Sequence, residues 1–191
     1  SLLSASTTLQ MPIGSFGSLS GSIRRTYIDQ TYSKWIKEVP DYYFIDGNLK
    51  AFMDFGENDK LSLSFFRSYD KLDFKLDKEK ESFGFKYDWG NITTSANWRH
   101  IFSPELFSNF WATGSWFESN FNFQSVDFLE KNGISDAGLR YALEYYSANR
   151  FNLKFGLDYK YLRGYLRQEW SGGKVDVEKS RHLMTTYASV N

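Results

Sequence analysis

Between Phe151 and Tyr161 the chain is apolar or aromatic at every odd position (Phe151, Leu153, Phe155, Leu157, Tyr159, Tyr161) and Asn152, Lys154, Gly156, Asp158 and Lys160 fall between, an unbroken alternation over eleven residues. Successive side chains of a strand point to opposite faces, so this run requires an extended strand with one apolar and one wet face. The same period runs through Tyr43, Ile45, Leu49, Ala51, Met53 and Phe55, and through Ala137, Leu139, Tyr141, Leu143 and Tyr145. Weaker versions lie at Leu3 to Ile13, Leu19 to Tyr27, Leu61 to Phe65, Ile92 to Trp98 and Phe107 to Phe123. After Trp170 the pattern is least legible, with one short strand predicted over Leu183 to Val190. The expected total is eight or nine strands and an all-β chain.

Two features set these strands apart from those of a soluble sandwich. Phe107 to Phe123 and Phe151 to Tyr165 each run past a dozen residues, whereas soluble strands average five or six. A tilted strand needs about 9–11 residues to cross a bilayer. The joints, moreover, alternate in kind. Tight ones are predicted at Gly14-Ser15-Phe16-Gly17, Gly56-Glu57-Asn58-Asp59, Phe102-Ser103-Pro104-Glu105 and Ser147-Ala148-Asn149-Arg150, rich in the residues that turns require. Longer, more charged joints are predicted at Ile28 to Asp41, Asp77 to Glu81, Asp127 to Asp136 and Glu169 to Ser180. The last three tight turns recur about 45 residues apart, which makes each repeat one hairpin. Short turns at one end and longer loops at the other are the plan of a transmembrane β-barrel. In a β-sandwich, the alternative, turn signals would recur every 8–12 residues.

Aromatic residues gather toward strand ends, at Tyr42, Tyr43, Phe44, Trp89, Trp98, Trp111, Trp116, Tyr145, Tyr146, Tyr159 and Tyr161, where interfacial girdles would lie. Ile28, Tyr32, Ile36 and Val39 recur at helical spacing up to Pro40 and predict a short amphipathic helix on an outer loop. No stretch approaches the 18 or so consecutive apolar residues of a spanning helix; a mean hydropathy of -0.50 is compatible with barrel strands, which are apolar at alternate positions only. Ser1 to Ser4 show neither an initiator Met nor a leader pattern, so the sequence reads as an internal, single-domain segment over residues 1–191.

Against that frame the candidate chemistry is sparse. The 23 Lys and Arg balance the 23 Asp and Glu, which argues against a nucleic-acid partner. With no Cys, and with only His100 and His182, there is little material for a metal site. Carboxylate pairs such as Asp70 with Asp73 or Asp127 with Glu130 read as a solvated rim. Gly114-Ser115 and Gly17-Ser18 lack a nucleophile-elbow context, and Gly172-Gly173-Lys174 lacks the rest of a phosphate loop. No enzymatic activity and no cofactor are expected.

Particular segments resemble a known family. Gly21-Ser22-Ile23-Arg24-Arg25-Thr26-Tyr27-Ile28-Asp29, preceded by Ser4-Ala5-Ser6-Thr7-Thr8-Leu9, resembles the start of the barrel in TonB-dependent receptors of the carboxypeptidase-regulatory-like, SusC-related type. Arg99 to Asn109 and Asn58 to Phe66 resemble two of that family's periplasmic turns. The resemblance implies a Gram-negative outer-membrane location, a 22-stranded antiparallel barrel filled by its own plug domain, and import of a scarce or large solute with energy delivered through TonB. It also implies outer-membrane lipid around the barrel and a SusD-like surface lipoprotein in some relatives. A barrel serving as a non-transporting scaffold is the alternative within the class.

In such a barrel, phase assigns the lumen-facing candidates. Arg24 points inward, where it could meet plug carboxylates, and Arg25 snorkels at the rim; Asp46, Asn48, Lys50, Asp54, Arg140, Glu144, Asn152, Lys154, Asp158 and Lys160 share the inward phase. Solute contacts would fall on outer loops such as Arg67 to Phe74 or Phe121 to Phe128.

Overall fold

A computed structural model describes residues 3–36, 39–78, 81–147 and 151–190. These residues form one nine-stranded antiparallel sheet in which every strand pairs with its sequence neighbours: β1 (Ser4–Ile13), β2 (Gly17–Thr26), β3 (Asp41–Asp54), β4 (Asp59–Lys78), β5 (Glu81–Ser103), β6 (Leu106–Phe123), β7 (Phe128–Tyr146), β8 (Asn152–Trp170) and β9 (Gly173–Val190). No second sheet packs against it among the described residues, so the sandwich alternative falls. The sheet is open, with the outer edges of β1 and β9 unpaired among the described residues.

Why the chain takes this form follows from its hairpins. Three of the four expected tight turns stand at one end of the sheet, where Gly14 and Gly56 adopt φ of 56° and 98°, open to glycine without a Cβ penalty. Backbone bonds lace neighbouring turns together: Asp54 N–H donates to the Phe16 carbonyl at 2.6 Å, Ile101 to Asn58 at 2.8 Å and Tyr146 to Glu105 at 2.7 Å. A bulge near Phe102 precedes the β5–β6 turn. Part of the fourth turn, residues 148–150, lies outside the described residues.

At the opposite end the expectation of long loops is corrected. Lys78 pairs with Glu81, and Trp170 with Gly173, so β4 runs into β5 and β8 into β9 through two residues each. The joint β6–β7 is a 3-10 turn over Gln124–Val126 closed by Asp127 at φ 50°. Only the β2–β3 connection is long. Its predicted helix shrinks to a 3-10 turn at Ile28–Gln30 and a four-residue α1 (Tyr32–Trp35); Lys37 and Glu38 lie outside the described residues. The charged stretches that read as loops are strand extensions, because Lys, Asp and Glu at alternate positions tolerate a solvated ladder as well as a loop. For the same reason β4, β5 and β9 reach 20, 23 and 18 residues rather than the short runs expected, and Arg67 to Phe74 is strand.

The strands are also staggered. Following directly opposed partners from Ile13 leads through Gly17, Met53, Leu61, Trp98, Phe110, Tyr141 and Leu157 to Thr186. Ile13 ends β1, whereas Thr186 stands four residues before the end of β9. Such stagger accumulates when tilted strands pair side by side, as the closure of a barrel requires.

Candidate functional site

Opposed partners carry their side chains to the same side, so the register sorts the molecule into two faces. One face is apolar. Along it β3 presents Ile45, Gly47, Leu49, Ala51 and Met53, continued by Phe55; β6 presents Leu106, Ser108, Phe110, Ala112, Gly114 and Trp116; β8 continues Phe151 with Leu153, Phe155, Leu157, Tyr159 and Tyr161. Each is eleven residues without a charge on that side. Eleven strand residues rise roughly 34 Å, or about 25 Å in height at a tilt near 45°. The large residues here are uncovered: Ile23, Leu49, Phe65, Leu139, Phe155 and Met184 are all exposed. Trp98, Phe102, Tyr145 and Phe151 mark this band toward the tight-turn end, and Tyr43, Tyr69 and Trp116 mark its other margin, where the Tyr43 and Tyr69 rings lie 6.2 Å apart.

The second face is polar over the same length. All eleven residues singled out by phase lie on it, in two clusters. In the first, Arg24 donates from Nε and Nη2 to Asp46 Oδ2 at 2.9 and 2.7 Å and stacks over Phe44, Asn48 donates to Ser22 at 2.7 Å, and Asp54 meets Lys60 at 3.2 Å. In the second, Arg140 pairs with Asp158 at 2.5 Å and Lys154 with Glu144 at 2.9 Å. Lys50, Asn152 and Lys160 carry no ion pair or hydrogen bond from their side chains among the described residues. Between the clusters the face carries Ser62, Ser64, Thr93, Ser95 and Asn97, with one charge, Arg99, which donates from Nε to Asn109 Oδ1 at 3.1 Å. Arg25, one step from Arg24, emerges on the apolar face, where Asp29 at 2.8 Å and the rings of Tyr27 and Tyr43 hold it.

Toward the end away from the tight turns the polarity of the two faces exchanges. The side that was apolar becomes charged: Lys86 pairs with Asp73 at 3.8 Å, Arg163 with Glu178 at 2.8 Å and Arg167 with Asp176 at 3.3 Å. The Arg163 guanidinium holds the Glu178 carboxyl below its ordinary value. The side that was polar becomes aromatic: Phe121 sits 5.7 Å from Phe85, 5.9 Å from Tyr87 and 6.4 Å from Phe128, and Phe83 sits 5.0 Å from Phe123. Tyr42 stacks on Trp89 at 6.4 Å and donates its hydroxyl to Asp70 at 2.8 Å; burial and then that carboxylate push the phenol up to about 12.

This aromatic crest escaped the sequence reading, although Phe83, Phe85, Tyr87 and Trp89 keep strict period two. Their flanks were read as loop, and parity has no meaning in a loop. The crest also divides the expected girdle. Tyr43, Trp98, Trp116, Tyr145, Tyr159 and Tyr161 stand on the apolar face, but Tyr42, Phe44, Trp89, Trp111 and Tyr146 stand on the other, since adjacent strand residues must part company. Each histidine has a single partner in the network, His100 with Asp59 at 2.7 Å and His182 with Tyr159 at 2.8 Å. No group of three metal-ligating side chains gathers among the described residues.

No family model matches the sequence, and no curated protein matches it. Solved structures do match the fold. The crystal structure of the ferric yersiniabactin uptake receptor FyuA from Yersinia pestis superposes with a TM-score of 0.61 at 7% identity, over 98% of this chain. The chain spans 34% of that structure. The architecture is therefore that of consecutive antiparallel strands of a β-barrel.

Proposed function

We propose that this chain is part of an outer-membrane barrel receptor that imports a scarce or large solute with energy delivered through TonB. The observation that carries the reading is the paired polarity of the sheet: an apolar band about 25 Å tall on one face, uncharged along β3, β6 and β8 and of the dimension of a barrel's lipid-facing belt, backed by a charged and hydroxyl-rich face of equal extent. Lipid covers the first face and the second lines the lumen, so Arg24, Asp46, Asn48, Lys50, Asp54, Arg140, Glu144, Asn152, Lys154, Asp158 and Lys160 set lumen polarity. Lys50 and Lys160, free of partners within the sheet, are the groups best able to meet carboxylates of a plug. Closure requires further strands at both edges of the sheet.

The strands that continue past the band stand in water on the outer side, which accounts for their charged outward face. Their aromatic inner face forms the wall that an incoming solute passes. If the receptor is of the SusC-related type, a surface lipoprotein would rest on these same strands.

Orientation is the test. In the full-length protein reconstituted in bilayers, nitroxides attached at Leu157→Cys and Asp158→Cys should respond oppositely, the first relaxed by dissolved oxygen and the second by a water-soluble nickel complex. Equal or reversed accessibility ends the membrane reading.

A further inference from the structure

One charge without a partner intrudes into the apolar face. On β4 that face runs Leu61, Leu63, Phe65 and then Arg67, which lies level with Gly47 on β3 and Ile92 on β5, inside the uncharged band of its neighbour β3. Arg67 is exposed and makes no ion pair or hydrogen bond among the described residues, unlike Arg25, Arg163 and Arg167 on the same face. Beside it the absence of a side chain at Gly47 opens a trough of about 590 Å³ walled by Ile23, Ile45, Leu49, Phe65 and Tyr69. A second hollow of about 410 Å³ lies on its other side at Gly90, bordered by Arg67 together with Asp88, Glu118 and Arg163, neither carboxylate being within ion-pair distance of Arg67. Lys71, four residues further along β4 on the same face, stands opposite Asp88 without forming an ion pair.

An unpaired guanidinium against hydrocarbon is costly, and its charge calls for an anion at the boundary where the apolar wall ends. A free anion would leave the trough empty; a neutral lipid would leave the guanidinium bare. We propose that the Gly47 trough holds an acyl chain of a phosphate-bearing outer-leaflet lipid whose phosphate is bound by Arg67, with Lys71 adding charge above. The site rests on the assignment of this face to lipid. Guanidinium and phosphate pair through charge-assisted, often bidentate bonds, and the trough falls in the range of built ligand sites.

Native mass spectrometry of the full-length receptor, released from bilayers that mix a phosphate-bearing anionic lipid with a zwitterionic one, tests this. The wild-type protein should retain the anionic lipid in preference, Arg67→Gln should lose that preference roughly tenfold, and Arg67→Lys should recover part of it. Gly47→Leu should release both lipids, and since a Cβ at position 47 meets only the Ser22 carbonyl, at 3.4 Å, the replacement fits the strand. Equal retention by wild type and Arg67→Gln overturns the site, as does complete displacement by inorganic phosphate, which would mark a free-anion site. The nitroxide at Leu157→Cys separates the two failures: if it remains oxygen-accessible while Arg67→Gln changes nothing, the lipid site falls and the barrel orientation stands.

Discussion

The banded half of the sheet and the half beyond it share one backbone ladder, yet their side chains are arranged in opposite senses. From Ile45 to Phe55 or Phe151 to Tyr161 the apolar residues occupy one face; from Phe83 to Trp89 or Phe121 to Phe123 they occupy the other. Hydrogen bonding therefore does not decide which side is apolar. On the proposed reading the solvent on each side decides it: hydrocarbon against the first half of one face, and water against its continuation, where an exposed Phe would be unprotected and a Lys is readily solvated. The transition falls near Arg67 and Arg163, within one row of opposed partners.

The comparison breaks most readily at mid-band. Leu157→Arg should destabilise the bilayer-inserted protein by about 2–4 kcal/mol, whereas Asn122→Arg, on the same side but beyond the margin, should stay within about 0.5 kcal/mol; urea unfolding of the full-length protein in bilayers reads both. Comparable losses at the two sites would show that one solvent bathes the entire face. Next in size is the aromatic crest. Phe121→Ala removes the ring shared by Phe85, Tyr87 and Phe128 and should cost about 1–2 kcal/mol of local stability. Amide exchange should quicken in residues 83–89 and 119–131 while the banded half keeps its protection. Exchange rising uniformly in both halves would mean that they unfold as one unit.

The smallest effect is electrostatic. Because Arg163 lowers the Glu178 carboxyl in the folded sheet, that pair contributes in full above the ordinary carboxylate value, and the contribution is lost as pH falls through the lowered folded value. Amide protection across the outer β8–β9 ladder should weaken on acidification, modestly because the pair is exposed, and Arg163→Gln should flatten the response. An unchanged acid response in that variant would assign it to other carboxylates.

Much of this was legible in the residue order. The strand phases, the tight turns at one end and the common side of Asp46, Lys50, Arg140, Lys154 and Asp158 follow from period two alone. What was misread lay where composition and conformation part. Glu169 to Ser180 looks like a charged loop, but Arg163, Arg167, Asp176 and Glu178 are spaced so that they meet across a ladder. That match involves two segments at once and shows only when Trp170 is set against Gly173. The helix predicted on Ile28, Tyr32, Ile36 and Val39 is cut short for a related reason, since four apolar positions without a packed partner cannot hold a long helix.

By itself the sequence determined that the chain is made of long alternating strands joined in hairpins, because side-chain parity is a property of each strand alone. Only the tertiary structure decided how far each strand extends, which residues of neighbouring strands stand level, and hence that Arg67 enters an apolar band and that the faces exchange polarity. These are matters of register, and register is a relation between strands that one strand's own sequence does not contain.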